Sequence, residues 1–169
     1  VLWRCEKHQW RVWIGGNPGN GKSVALKVMN EMIIQSYLDP INRFRTIPYL
    51  DFEKQYRKAP EDVFDLYGKT SMKTIGIDEV LYKDDKTRAD YQTPIVLIQE
   101  FIHNRCELFS EEGIVTHFTS NFFLESALSK EKLDLRSEDR IKEMFYSIQW
   151  EGDSYRGRLE NIEGGIHGK

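Results

Sequence analysis

The stretch Gly16-Asn17-Pro18-Gly19-Asn20-Gly21-Lys22-Ser23 constrains the fold of this chain more than any other part of it. It fits the spacing G-x-x-x-x-G-K-[ST] in full. Glycines let such a loop wrap closely and aim its backbone N–H groups inward at anionic oxygens. The helix that begins at Lys22 adds its positive N-terminal end. Lys22 is then placed to reach β- and γ-phosphates, and Ser23 to ligate Mg²⁺. A glycine turn with a chance lysine is the competing reading. It is weak because a strand is predicted before the loop, over Trp10–Ile14, and an amphipathic helix after it, from Lys22 to about Tyr37.

The rest of the chain continues that alternation. The helix after the loop carries Ala25, Val28, Met29, Met32 and Ile33 at helical spacing, which predicts one buried stripe. Asp39-Pro40 breaks it. Further strands are predicted over Thr46–Leu50, over Lys73–Ile77 running into Asp78, over Gly113–Thr119 and over Tyr146–Trp150. Helices are predicted over Phe52–Lys58 and over Glu61–Tyr67, with Pro60 near the first turn of the second. A long one follows over Thr93–Leu108, with Ile95, Ile98, Phe101, Ile102 and Cys106 on one face. Shorter ones cover Leu124–Leu128 and Arg136–Phe145. Leu81–Tyr91 is charged and reads as a loop. Short strands alternating with helices give an α/β fold, a parallel sheet covered on both faces. Ligands of such sheets bind beyond the C-terminal strand edge, where the chemistry-bearing residues fall.

With 169 residues the chain suits one domain, expected over residues 1–160, before a tail at 161–169 that is expected to fray. Its 24 Lys and Arg against 27 Asp and Glu give a net charge of −3. That balance excludes a generally basic nucleic-acid coat, though not a local basic patch. The longest apolar run, around Ile95–Ile98, is too short to cross a membrane, and Val1-Leu2-Trp3-Arg4-Cys5 lacks the marks of a signal peptide. Cys5 and Cys106 support neither a disulfide framework nor a CxxC metal site, so a cytoplasmic location is expected. The chain opens on Val, and an N-terminal truncation is expected.

Thr74-Ile75-Gly76-Ile77-Asp78-Glu79 is an apolar strand ending in two carboxylates. Neighbours on a strand end point in different directions, so Asp78 can face a metal while Glu79 polarises water. A plain surface Asp-Glu pair is the bland alternative. A water-polarising Glu79 favours hydrolysis over transfer to a small acceptor. Thr119-Ser120-Asn121 ends another strand. Asn121 either holds the attacking water or caps the next helix. Arg140 and Arg156 are candidates to stabilise charge on a γ-phosphate, with a solvated surface charge as the alternative for each.

Taken in order, Gly16–Ser23, Ile75–Glu79, Thr119-Ser120-Asn121, Asp139-Arg140 and Asp153-Ser154-Tyr155-Arg156 resemble the DnaC-type AAA+ ATPases, the bacterial helicase loaders. IstB-type transposition helper ATPases are similar by the same motifs. The resemblance spans about Trp10 to Arg156. It implies a P-loop NTPase αβα sandwich with a parallel five-stranded sheet and little or no helical lid. It implies ATP and Mg²⁺, with Gly16, Gly19, Gly21, Lys22 and Ser23 as Walker A, and Asp78 and Glu79 as Walker B. Asn121 would be the first sensor, Arg140 an arginine finger acting across a subunit boundary, and Arg156 the second sensor. Arg105 resembles an arginine that ends the long helix in this group, with a role in subunit contact or structure. The implied partners are a replicative DNA helicase, single-stranded DNA, and other copies of the chain through the nucleotide face. Arg43, Arg45, Arg57 and Lys58, with Phe44 and Tyr56 beside them, are candidates to face DNA, although ordinary surface charge is the stronger reading at this net charge. A transposition helper, a small-molecule phosphotransferase and an ATP-gated adaptor remain alternative functions.

Overall fold

The run Val12–Gly15 is buried along its whole length, which is the pattern of a strand covered on both faces. It is β1 of a five-stranded sheet, seen in a computed structural model that describes residues 11–35, 43–67, 73–81, 92–129 and 135–155. The other strands are β2 (Arg45–Pro48), β3 (Ile75–Val80), β4 (Thr116–Ser120) and β5 (Tyr146–Gln149). Their order is β2-β3-β4-β1-β5, and every pairing is parallel. The helices are α1 (Lys22–Gln35), α2 (Tyr49–Lys58), α3 (Pro60–Tyr67), α4 (Gln92–Glu112), α5 (Leu124–Ser129) and α6 (Leu135–Met144). Because β4 lies between β1 and β3, the ends of those three strands emerge side by side. The α/β class and the five expected strands are all present.

Trp13, Phe52, Phe101 and Phe118 are fully buried and form the aromatic centre of the core. Phe52 meets Phe101 edge-on at 4.7 Å between centroids, and Phe118 lies 5.1 Å from Phe145. Among the described residues, no helix is long and apolar enough to cross a membrane.

Several boundaries differ from expectation. β2 stops at Pro48, whose extended backbone (φ −60°, ψ 132°) precedes α2, so Tyr49 and Leu50 are helical. α4 continues to Glu112, where the Gly113 N–H closes it onto the Phe109 carbonyl at 2.9 Å, and β4 therefore starts late. The stripe expected on α1 is only partly realised. Val28 and Met32 are 50% and 65% exposed, whereas Leu26 and Lys22 are buried. Leu26 lies beside Gly76 of β3, and Ala25, Met29 and Ile33 are half-buried, while Val28 and Met32 turn outward. Trp10, residues 36–37, residues 82–91, Arg156 and residues 161–169 lie outside the described residues.

Arg105, on α4, is fully buried and serves structure. Its guanidinium donates to Thr116 Oγ1 (2.6 Å) and to the carbonyls of Lys73 (2.8 Å), Tyr67 (3.1 Å) and Val115 (3.1 Å). These bonds tie the end of α3 to the starts of β3 and β4. Burial pushes its pKa down to about 10.

His117, the second residue of β4, is 2% exposed, lies 4.5 Å from the Phe44 ring, and has an Nδ1 without a partner among the described residues. Desolvation pushes its pKa down to about 3. The unfolded chain therefore binds a proton that the folded chain refuses. Its contribution to stability is present above about pH 6.5 and is lost as pH falls towards 3, at up to about 1.4 kcal/mol per pH unit. His117→Phe, which keeps an aromatic ring against Phe44, is expected to flatten that slope. Urea midpoints of both proteins at about pH 7.5 and about pH 5 test this; equal losses of stability on acidification would contradict it.

Candidate functional site

The candidate phosphate-binding residues lie where β1 hands over to α1. The Lys22 side chain folds back into its own loop, 5% exposed. Its Nζ donates to the carbonyls of Gly16 (2.8 Å) and Asn17 (2.7 Å) and to Asn20 Oδ1 (3.3 Å). A cation is thus already held inside the curve. Gly21 has φ 93°, with open space where a Cβ would be, so its backbone angle is what calls for glycine. α1 has no acidic residue in its first turn, and its positive end is left uncompensated for an anion. Ser23 stands half-buried in that turn.

The chain beyond β5 lies across the loop, a feature that sequence reading missed. Trp150 N–H donates to the Gly15 carbonyl (2.7 Å), and its indole N–H donates to the Asn20 carbonyl (2.8 Å). Asn20 Nδ2 returns a bond to the Trp150 carbonyl (2.5 Å), and the Tyr155 N–H reaches the Gly19 carbonyl (3.0 Å). A Cβ on Gly16 would strike the Trp150 carbonyl. Asn20 therefore does more than complete the loop spacing. Pro18 and Asn17 sit exposed at the loop's outer bend.

The acidic end belongs to β3, which starts two residues later than expected and reaches Val80. Its pairing with β4 shifts register between Ile77 and Val80. Glu79 and Leu81 adopt left-handed backbone angles, φ 62° and 55°, a conformation that costs a non-glycine residue about 1–3 kcal/mol. Thr119 Oγ1 donates to Asp78 Oδ1 (2.5 Å) and accepts from the Glu79 N–H (2.8 Å). Ser120 Oγ donates to the Val80 carbonyl (2.9 Å), and the Ser120 carbonyl accepts from the Gly16 N–H (3.2 Å). The tip of β4 therefore bonds to the phosphate loop on one side and to the acidic strand end on the other. Asn121, the next residue, has a buried Oδ1 with no hydrogen-bond partner among the described residues.

Arg140 is elsewhere. It is exposed on α6, contacts His103 Nδ1 at 2.7 Å, and lines a cavity of about 330 Å³ with Arg11, Cys106 and Met144. Arg11 enters β1 at the end opposite the phosphate loop, so Arg140 does not reach the loop of its own chain. The suggested DNA-facing group is divided. Arg43, Arg45 and Lys58 are exposed, and Arg57 pairs with Glu53 at 2.9 Å. Phe44 is buried against His117, and Tyr56 packs on Phe64 at 5.9 Å, partly buried. Phe44 is therefore unable to stack on a base: the hydrophobic interior has taken it.

The candidate residues can be tested for fit to a nucleotide and a cation. Among the described residues no group of three or more His, Cys, Asp or Glu is placed to hold a metal. A cation at Asp78 would thus share its shell with Ser23 and phosphate oxygens, the usual arrangement for Mg²⁺. The caged lysine and the uncompensated helix end both fit an anionic ligand.

No protein-family model matches the chain, and no curated protein matches it in sequence. Solved structures do. A candidate primosome component from Streptococcus pyogenes serotype M3 is 16% identical, with a TM-score of 0.62 over 92% of this chain and 75% of its own. Domain III of the Thermotoga maritima replication initiation protein DnaA is 16% identical, with a TM-score of 0.64 over 98% of this chain and 67% of its own. The DnaC helicase loader is 16% identical, with a TM-score of 0.59 over 83% of this chain and 77% of its own. The chain shares the α/β fold of these structures, a five-stranded parallel sheet with helices.

Proposed function

We propose, from an AAA+ fold whose phosphate loop and acidic strand end meet at one edge, that the chain is a DnaC-type ATPase acting in the cytoplasm on a replicative DNA helicase. The observation that carries this is the double anchorage of the β4 tip, Ser120 to Gly16 and Thr119 to Asp78 and Glu79. The likeness to the DnaC loader supports the choice of partner. Lys22 and the N–H groups of residues 16–23 bind the triphosphate. Mg²⁺, held by Ser23 and Asp78, would neutralise charge on the β- and γ-phosphates. Glu79 polarises the attacking water, and the Asn121 amide oxygen accepts one of its O–H groups. Arg140 serves a neighbouring copy, since its place on α6 keeps it from its own loop, and hydrolysis is slow until copies assemble. Arg156 keeps the role of second sensor in this reading.

Glu79→Gln tests it. The variant is expected to bind ATP·Mg²⁺ as the parent does and to lose phosphate release by about a hundredfold or more, as loss of a catalytic base does. Equal turnover would remove Glu79 from the chemistry. Phosphate release stimulated by single-stranded DNA supports a loader; preference for duplex DNA would favour a transposition helper. A phosphorylated small molecule without free phosphate would show a phosphotransferase.

A further inference from the structure

Thr119 was read from sequence only as part of a polar strand tip, yet its one hydroxyl is shared by both carboxylate residues. It is fully buried on β4. The hydroxyl proton goes to Asp78 Oδ1, and the oxygen accepts the Glu79 N–H. We propose that Thr119 is the positioning residue of the acidic strand end, setting the Asp78 carboxylate for its cation and holding Glu79 in its left-handed backbone. The inference rests on the ATPase reading above.

Two features of the geometry argue for it. A carboxylate with one oxygen tied to a fixed hydroxyl has its plane set, and its second oxygen is directed by the same bond. Such outer partners commonly change metal affinity or activity by about 10–100-fold when removed. Glu79 sits at φ 62° inside a register shift, where an extended ladder cannot hold it. The Thr119 oxygen takes the N–H that the shift leaves over.

Valine matches threonine in shape and lacks the hydroxyl; serine keeps the hydroxyl and lacks the methyl. Thr119→Val is expected to lower turnover by about 10–100-fold and to raise the Mg²⁺ concentration for half-maximal activity several-fold. Thr119→Ser is expected to restore most of both. ATP affinity measured in EDTA is expected to stay the same in all three proteins. Amide hydrogen exchange gives a readout that needs no ATP: the Glu79 N–H is expected to exchange faster in Thr119→Val and at the parent rate in Thr119→Ser. An active parent whose Mg²⁺ dependence and Glu79 exchange are matched by Thr119→Val would overturn this inference alone. A parent inert towards ATP·Mg²⁺ would overturn the proposed function and this inference with it.

Discussion

Lys22→Ala is expected to weaken ATP·Mg²⁺ binding by at least about a hundredfold. Hydrogen bonds from a charged donor contribute about 1.5–3 kcal/mol each, and in the proposed site Lys22 serves two phosphates, which makes a loss of about 3–6 kcal/mol. The lysine also has work without nucleotide. It satisfies the Gly16 and Asn17 carbonyls and Asn20 Oδ1, so its removal frees the loop's own acceptors. Some loss of thermal stability should accompany the loss of affinity. Calorimetric titration measures the first and a melting curve the second. A variant that binds ATP like the parent would show that the loop is a turn and nothing more.

Arg105→Leu is expected to be the most destabilising substitution in the described core. It would remove a donor from the Thr116 hydroxyl and from the carbonyls of Tyr67, Lys73 and Val115, of which Val115 keeps the Ile75 N–H, in a place with almost no access to water. Each stranded group costs about 1–3 kcal/mol, and partial relaxation brings the total to about 3–5 kcal/mol. A domain of this size has about 5–15 kcal/mol in all. Arg105→Lys should fall between the two, since an ammonium has donors but cannot span acceptors on three segments. Urea unfolding of the three proteins reads the order directly. A loss under about 1 kcal/mol in Arg105→Leu would show that water replaces the guanidinium, and would contradict its role as the tie between α3, β3 and β4.

The two substitutions also mark what the sequence carries and what it hides. Lys22 was legible because a phosphate loop is a local device: its glycines, lysine and serine are neighbours along the chain, flanked by a strand and a helix. Asp78 and Glu79 were legible because they end an apolar strand. Thr119 was not, although it stands 41 and 40 positions from those residues and touches both. Its contact depends on β4 lying between β1 and β3, and strand order is set by packing of the whole sheet. The Trp150–Asn20 exchange is hidden for the same reason, at a separation of 130 positions. The left-handed angle at Glu79 has no sequence signal at all, since glutamate has no preference for it. Phe44 shows the opposite failure. An aromatic among arginines suggested a surface that stacks on bases, but its ring found the hydrophobic side of His117. On α1 the periodicity was right in spacing and wrong in phase, because a helix that touches a narrow sheet buries one row of side chains and leaves its flanks outside.

The central claim is that a triphosphate and its cation sit between residues 16–23 and Asp78. A crystal structure of the chain with a non-hydrolysable ATP analogue and Mg²⁺ tests it most directly. The expected result is phosphate density within the loop, with Lys22 Nζ turned from the Gly16 and Asn17 carbonyls onto phosphate oxygens and the cation shared by Ser23 and Asp78. Analogue bound elsewhere, or a loop left empty at saturating analogue with Lys22 still on its own carbonyls, would contradict it.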